Sequence, residues 1–98
     1  MLFNMFNGAS KSTHDGREKV KNGALLLDVR TPEEFREGHV NGAKNIPVQE
    51  LARRLNELGP KSQHIVLYCR SGGRSAAAAQ LLKGQGYQVT DIGAMSNW

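Results

Sequence analysis

Two short apolar runs constrain the fold of this 98-residue chain more than any other feature. They are ALLLDV at residues 24–29 and HIVLY at residues 64–68. Nearly continuous apolar runs of this length are typical of strands that are buried on both faces, as in parallel sheets. A third strand is predicted over residues 87–92, and a short one at residues 45–46.

Helix signals alternate with these strands. Thr31-Pro32-Glu33-Glu34 combines an N-cap, a proline at the first helical position and a capping-box glutamate, and Gly38 ends this helix. Further helices are predicted over residues 14–21 after a Ser12 or Thr13 cap, over residues 48–58 from the leucine spacing, and over residues 75–83 from composition. The pattern predicts an α/β fold whose largely parallel sheet is flanked by helices on both faces.

Length and composition allow one domain. Apolar residues make up 39% and charged residues 22% of the chain, as in soluble globular proteins. We expect a loose lead-in over residues 1–12 and the domain over residues 13–98. The single cysteine excludes an internal disulfide, and no Cys/His cluster has the spacing of a zinc site, so no metal and no cofactor are expected.

Charge and hydropathy limit the partners. The net charge of +4 favours solubility or small anions; the basic residues are scattered and aromatic residues are few, so nucleic acid is not an expected partner. No apolar stretch approaches the roughly 20 residues that span a bilayer. The first ten residues do not resemble a signal peptide. We therefore expect a cytoplasmic protein, with a trimmed secretory leader as the alternative, and no membrane partner.

The segment YCRSGGRS, residues 68–75, joins the second apolar run to the alanine-rich helix. Cys69 ends the strand, at the edge of the sheet where α/β proteins bind ligands. The N-terminus of the following helix and the two arginines of the segment favour an anion. Gly72 and Gly73 allow positive φ angles, which let successive N–H groups face one point. We expect Cys69 to have a lowered thiol pKa and to lie in a cradle for an anionic substrate. The alternative is that Cys69 is a small apolar residue that ends a strand.

Several motifs, in this order, resemble the rhodanese family. They are DVRTPEEF at residues 28–35, GHVNGA at 38–43, NIP at 45–47 and YCRSGGRS at 68–75, with GY at 86–87 and GAMSNW at 93–98 near the end. The likeness covers residues 13–98. It implies a single rhodanese-like domain with thiosulfate sulfurtransferase activity.

The resemblance also implies a mechanism. Cys69 would attack the sulfane sulfur of thiosulfate or a similar donor, and the resulting persulfide would pass its sulfur to cyanide or another thiophilic acceptor. The partners implied are a small anionic donor and that acceptor, with a protein thiol as a further candidate. Backbone N–H groups of the loop would hold the persulfide, and its two arginines would orient the donor. The substrate-binding residues implied are Arg70, Ser71, Gly72, Gly73, Arg74 and Ser75.

Two other functions remain open. The first is a persulfide carrier or regulatory sulfur-binding module that turns over small donors poorly. The second, less favoured, is a phosphatase or arsenate reductase, in which five residues separate a cysteine from an arginine. Only four residues separate Cys69 from Arg74, and Tyr68 stands where those phosphatases carry a histidine.

The remaining polar residues are interpreted mainly as structural. Asp28 and Arg30 are predicted to form an ion pair, with Arg30 as an accessory candidate that touches the substrate. Ser71 and Ser75 either donate to the sulfur or cap the helix. Other expectations are a structural His39, a solvated helix face formed by Glu33, Glu34, Arg36 and Glu37, core positions at Leu51, Leu55 and Leu58, and a Trp98 that packs against the body or rims the pocket.

Overall fold

The computed structural model describes residues 15–98, and the lead-in and the Ser12 or Thr13 cap lie outside them. Residues 15–21 are helical and form α1. The elements that follow are β1 (Leu25–Asp28), α2 (Pro32–Glu37), β2 (Lys44–Asn45), α3 (Val48–Leu51), β3 (Ile65–Cys69), α4 (Gly73–Gly84) and β4 (Val89–Ala94). Short 3-10 turns lie at Leu55–Glu57 and Met95–Asn97.

The four strands form one sheet in the order β2-β1-β3-β4, and every neighbouring pair is parallel. β1 and β3 are paired along four positions from Leu25↔Ile65 to Asp28↔Tyr68. Parallel pairing places the carboxyl ends of all four strands at one edge of the sheet. The predicted α/β architecture is therefore confirmed, and the loops after β1, β3 and β4 meet at that edge.

Apolar side chains cover both faces of the sheet. On one face Leu27, Ile65 and Leu67 pack with Leu51 of α3 and Leu82 of α4 in a buried cluster. On the other face a second buried cluster contains Leu26, Val66, Tyr68 and Ile92, with Val20 of α1 and Trp98 packed against it. Successive strand residues alternate between the clusters because strand side chains point to opposite faces. This explains why the strand sequences lack polar alternation.

The largest difference from the sequence prediction lies in residues 48–58. The helix predicted over residues 48–58 ends at Leu51, and a 3-10 turn over Leu55–Glu57 follows it. Leu51 and Leu58 are still buried, because two short turns bring these side chains to the core as well as one helix would. Arg54 stabilises the break, since its guanidinium donates to Glu50 and Glu57. Leu55 is half-buried and packs against the same cluster.

The last strand runs over residues 89–94, two residues later than predicted. Its register against β3 shifts between Leu67 and Tyr68, which pair with Asp91 and Gly93. Ile92 is the extra residue of this irregularity, and the Gly93 N–H donates to Asp91 Oδ1 at 2.8 Å. Gly93 has φ +82°, a conformation that other residues rarely adopt. The bulge prolongs the pairing until Cys69 lies opposite Ala94.

A buried ion pair joins the end of β1 to the turn that follows. Asp28 and Arg30 are both buried, and Arg30 Nη2 lies 2.6 Å from Asp28 Oδ2. The Arg30 N–H donates to Asp28 Oδ1, and Nη2 also donates to the Gly38 carbonyl at 2.8 Å. The predicted ion pair is therefore present, and it fixes the direction in which the chain leaves β1.

Asp28→Ala should destabilise the fold strongly, because it leaves the buried Arg30 guanidinium without its counter-charge. Removing one partner of a buried pair typically costs about 3–5 kcal/mol. Chemical denaturation would measure this change in the free energy of unfolding.

Glu33→Ala is the matched control, because Glu33 also pairs with an arginine, Arg36, but its side chain is 72% exposed. We expect a change within about 0.5 kcal/mol for this exposed pair. Equal effects of the two substitutions would show that water compensates Arg30 when its partner is absent.

Candidate active site

A cleft of about 350 Å³ opens at the carboxyl edge of the sheet. It is bounded by the segments that follow β1, β3 and β4. Its lining residues are Arg30, Glu34, Glu37, Gly38, Arg70, Met95 and Ser96. Arg70 and Met95 directly follow Cys69 and Ala94, which pair across β3 and β4. The cleft therefore begins beside the single cysteine.

Cys69 is the last residue of β3 and is fully buried. Its side chain belongs to the apolar cluster on the α3 and α4 face of the sheet. One side of the thiol thus contacts apolar neighbours, and the backbone of the following loop covers the other. A substrate must therefore approach the sulfur through this loop or its immediate edge.

The loop bends around the sulfur. The Gly72 N–H donates to Cys69 Sγ with an N···S distance of 2.9 Å. Gly72 has φ +109° and is the N-cap residue of α4, which begins at Gly73, four residues after the cysteine. Gly73 does not share the positive φ that was predicted for it, because it is already in the first helical turn. The N-terminus of a twelve-residue helix, with its partial positive charge, therefore lies next to the thiol.

The environment of Cys69 favours its thiolate. Burial raises the pKa of the thiol. Hydrogen bonds from the Ser75 hydroxyl and from the backbone N–H groups of Ser75, Gly72 and Ser71 outweigh that effect, so the pKa lies below its ordinary value. Of these groups, the Gly72 N–H makes the direct hydrogen bond to the sulfur.

The two serines of the loop occupy different environments. Ser75 is buried, its hydroxyl donates to the Gly72 carbonyl at 3.1 Å, and the same hydroxyl lowers the pKa of the Cys69 thiol. Ser71 is exposed, and it acts on the sulfur through its backbone N–H. The N-cap position belongs to Gly72, so neither serine side chain caps α4.

Arg74 does not point freely into the cleft. Its guanidinium forms a two-point pair with Glu34 of α2, with distances of 2.7 Å from Nη1 to Oε1 and 3.0 Å from Nη2 to Oε2. The Glu34 side chain is 18% exposed. The prediction that Glu34 belongs to a solvated helix face is therefore wrong, and its role at the cleft was missed.

One sequence signal could have located Glu34. As the capping-box residue of α2, it must turn back toward Thr31, and hence toward the carboxyl edge of the sheet. Its Oε1 accepts from the Thr31 N–H at 2.9 Å, as the capping box predicts. The remaining members of the predicted face, Glu33, Arg36 and Glu37, are exposed.

Arg70 and Arg30 also border the cleft. Arg70 is 75% exposed and its Nη1 lies 3.8 Å from Glu34 Oε2, so its guanidinium contacts solvent at the mouth. Arg30 is buried and donates to Asp28 and to the Gly38 carbonyl. Arg30, the accessory candidate, therefore forms part of the cleft wall and also pairs with Asp28.

His39 and Trp98 are not among the residues that line the cleft. His39 stacks on Phe35 with ring centroids 3.6 Å apart and hydrogen-bonds to the Phe35 carbonyl, in a local structural role. Trp98 packs against the cluster of Val66 and Ile92, and Arg17 lies over its ring. Of the two alternatives for Trp98, packing against the body is the one observed.

Within residues 15–98, no group of three or more histidine, cysteine or carboxylate side chains is arranged to hold a metal ion. None of the helices in this part of the chain is both long enough and apolar enough to cross a bilayer.

Comparison with known proteins gives consistent matches. The chain is 43% identical over 63 residues to a sulfurtransferase of Allochromatium vinosum, covering 64% of this chain and 58% of that protein. It is 39% identical over 62 residues to the thiosulfate sulfurtransferase PspE of Escherichia coli, covering 62% of this chain and 60% of that one. The chain thus spans less than two thirds of the length of these relatives.

Structural and family comparisons extend the likeness. The solved structure of a rhodanese with anions from E. coli superposes with a TM-score of 0.73 at 32% identity, over 78% of this chain and 92% of that one. A family model described as a Rhodanese-like domain matches residues 12–98. The match extends over nearly the whole chain and includes the cysteine loop, and the chain therefore belongs to the rhodanese-like domain family.

Proposed function

We propose that this domain is a sulfurtransferase that moves a sulfane sulfur from thiosulfate, or a similar donor, through a persulfide on Cys69 to cyanide or another thiophilic acceptor. The observation that carries the proposal is the bent loop at the start of α4, whose Gly72 N–H donates to Cys69 Sγ and whose donors lower the pKa of the thiol. Two relatives that bear sulfurtransferase names support the reaction class.

The loop suits the first half-reaction. The Cys69 thiolate attacks the outer sulfur of thiosulfate, the S–S bond of the donor breaks, and sulfite leaves with its electron pair. The total charge is the same before and after this step, and no oxidant is required. The N–H groups that lower the pKa of the thiol also stabilise the terminal sulfur of the persulfide, since both species are anions at nearly the same place.

The second half-reaction returns the enzyme to its starting state. Cyanide attacks the outer sulfur of the Cys69 persulfide, thiocyanate leaves, and the thiolate is restored. Because the sulfur is held covalently between the two steps, ping-pong kinetics are expected. A protein thiol could accept the sulfur in the same way, with the acceptor becoming the persulfide.

A persulfide carrier is the second candidate, and the burial of Cys69 favours it. A covered sulfur exchanges slowly with small molecules, and a partner that displaces the loop would gain access to it. Fast turnover of thiosulfate and cyanide favours the enzyme; a persistent Cys69 persulfide with negligible turnover favours the carrier.

Cys69→Ser should reduce sulfur transfer to the uncatalysed background, because the hydroxyl is a poor nucleophile at neutral pH. Intact-protein mass spectrometry after addition of thiosulfate should show one added sulfur atom on the wild type and none on the variant. The two proteins should unfold at similar temperatures. A variant that still gains sulfur would exclude Cys69 as the carrier of the persulfide.

Ser75→Ala should raise the pKa of the Cys69 thiol, because one hydrogen bond to the thiolate is lost. The iodoacetamide reaction rate, measured against pH, follows the thiolate fraction and decreases as the pH falls through the pKa. Its midpoint should lie below the ordinary thiol value in the wild type and shift upward in the variant.

Ser71→Ala is the matched control for this measurement. The same hydroxyl group is removed from the same loop, but the exposed Ser71 acts through its backbone N–H, which the substitution keeps. Equal midpoints in all three proteins would show that the main chain alone sets the thiol pKa.

Arg70→Ala should raise KM for thiosulfate roughly three- to tenfold, with a smaller change in kcat, because a charge at the mouth of the cleft attracts the dianion. The effect should diminish at high salt. Arg36→Ala removes the same charge from the outer face of α2, where Arg36 is 69% exposed, and should leave KM unchanged. Equal KM values for wild type and Arg70→Ala would remove Arg70 from the donor site.

A further inference from the structure

The charges around the cleft are balanced, although the loop sequence is strongly basic. Arg30 is paired with Asp28, and Arg74 is paired with Glu34. Arg70 lies 3.8 Å from the same Glu34 carboxylate. The acidic Glu37 also lines the cleft. A dianion that enters this cleft therefore meets arginines whose charges are already shared with carboxylates.

Glu34 is held in this position from two sides. Its Oε1 accepts from the Thr31 N–H at 2.9 Å and from the Thr31 hydroxyl at 3.2 Å. Both of its oxygens accept from Arg74. Because these contacts join α2 to α4, the carboxylate cannot leave the cleft without loss of the capping box and of the ion pair. Glu34 is a fixed negative charge and not a flexible surface side chain.

The charge is also permanent at physiological pH. The hydrogen bond from Arg74 and that from the Thr31 backbone lower the pKa of Glu34 to about 2. The carboxylate is therefore ionised wherever the domain is expected to work. It remains charged when a donor anion enters the cleft.

We propose that Glu34 is a specificity-determining residue, which disfavours doubly charged sulfur donors and gives the site a preference for donors with a single negative charge. The inference rests on the proposed function and narrows its donor class. Glu34 borders the cleft and faces the two arginines of the loop, so a second negative charge on the donor would be placed against its carboxylate.

A matched pair of donors separates charge from shape. Methanethiosulfonate has the tetrahedral sulfone and terminal sulfur of thiosulfate, but a methyl group replaces one charged oxygen. Cys69 would attack its outer sulfur, the S–S bond would break, and methanesulfinate would leave with the electron pair. The step forms and breaks the same bonds, with the same electron flow, as with thiosulfate, and the donor and the leaving group each carry one negative charge fewer.

Glu34→Gln is the appropriate variant, because glutamine also completes a capping box and so preserves the start of α2. We expect kcat/KM for thiosulfate to rise roughly three- to tenfold, mainly through a lower KM, since a nearby repulsive charge is removed. The kcat/KM for methanethiosulfonate should change clearly less. The ratio of kcat/KM for thiosulfate to that for methanethiosulfonate therefore rises in the variant.

Glu33→Gln is the matched control. It removes the same charge from the neighbouring position, but Glu33 is 72% exposed and pairs with Arg36 outside the cleft. We expect the ratio of the two donors to stay at its wild-type value. Thermal unfolding of both variants would confirm that they are folded.

A second measurement does not depend on sulfur transfer. Iodoacetate and iodoacetamide are nearly equal in size and alkylate the same thiolate, but only iodoacetate is an anion. Their rate ratio cancels changes in thiol pKa and in access to Cys69, and reports the charge that a reagent meets. The ratio of iodoacetate to iodoacetamide should rise roughly threefold or more in Glu34→Gln and stay constant in Glu33→Gln.

The outcomes are distinguishable. If the alkylation ratio rises but no donor is turned over, the role of Glu34 at the site stands and the proposed sulfur transfer fails. If Glu34→Gln leaves the alkylation ratio unchanged, or raises KM for thiosulfate, the carboxylate serves to hold Arg74 in place and the selectivity proposal is overturned.

Discussion

Parallel pairing of β3 between β1 and β4 is the constraint on which the rest of the site depends. It sends three chain segments out of the same edge of the sheet, and each contributes one part of the cleft. β3 delivers Cys69 and the bent loop, β1 leads through the Asp28–Arg30 pair into α2, and β4 reaches Ala94 opposite the cysteine. The bulge at Ile92 makes this last alignment possible. A slip of β3 by one residue against its neighbours would turn Cys69 to the other face of the sheet.

The parts that could be predicted from sequence are those that depend on local signals. The apolar runs of β1 and β3, the capping box of α2 and the glycine-rich turn before α4 each act over a few residues, and all are present in the structure. The leucine spacing over residues 48–58 was misleading, because the same positions reach the core from two short turns. The predicted positive φ at Gly73 failed because α4 starts two residues earlier than its composition suggested.

The charge of the site could not be predicted, because it is determined by pairing across the fold. Glu34 and Arg74 are 40 positions apart in the sequence, and only the meeting of α2 with α4 brings them together. From the sequence, the two arginines of the loop were expected to favour an anion. The structure places a carboxylate against them, so that a basic segment produces a nearly neutral site. The sequence of the loop thus determines how many positive charges it carries, and the carboxylates that lie beside it in the fold determine how many of those charges are neutralised.

The Ser75 hydroxyl lies in a loop that must surround the Cys69 sulfur in both its neutral and its anionic form. A hydroxyl has a single proton, so it can serve either the Gly72 carbonyl, 3.1 Å away, or an ionised sulfur. The carbonyl keeps a second donor, the Ala76 N–H at 3.0 Å, when the hydroxyl turns away. Reorienting one proton therefore leaves no backbone group unsatisfied. Rotation of one O–H bond would therefore accommodate either a neutral or an anionic sulfur without movement of the main chain.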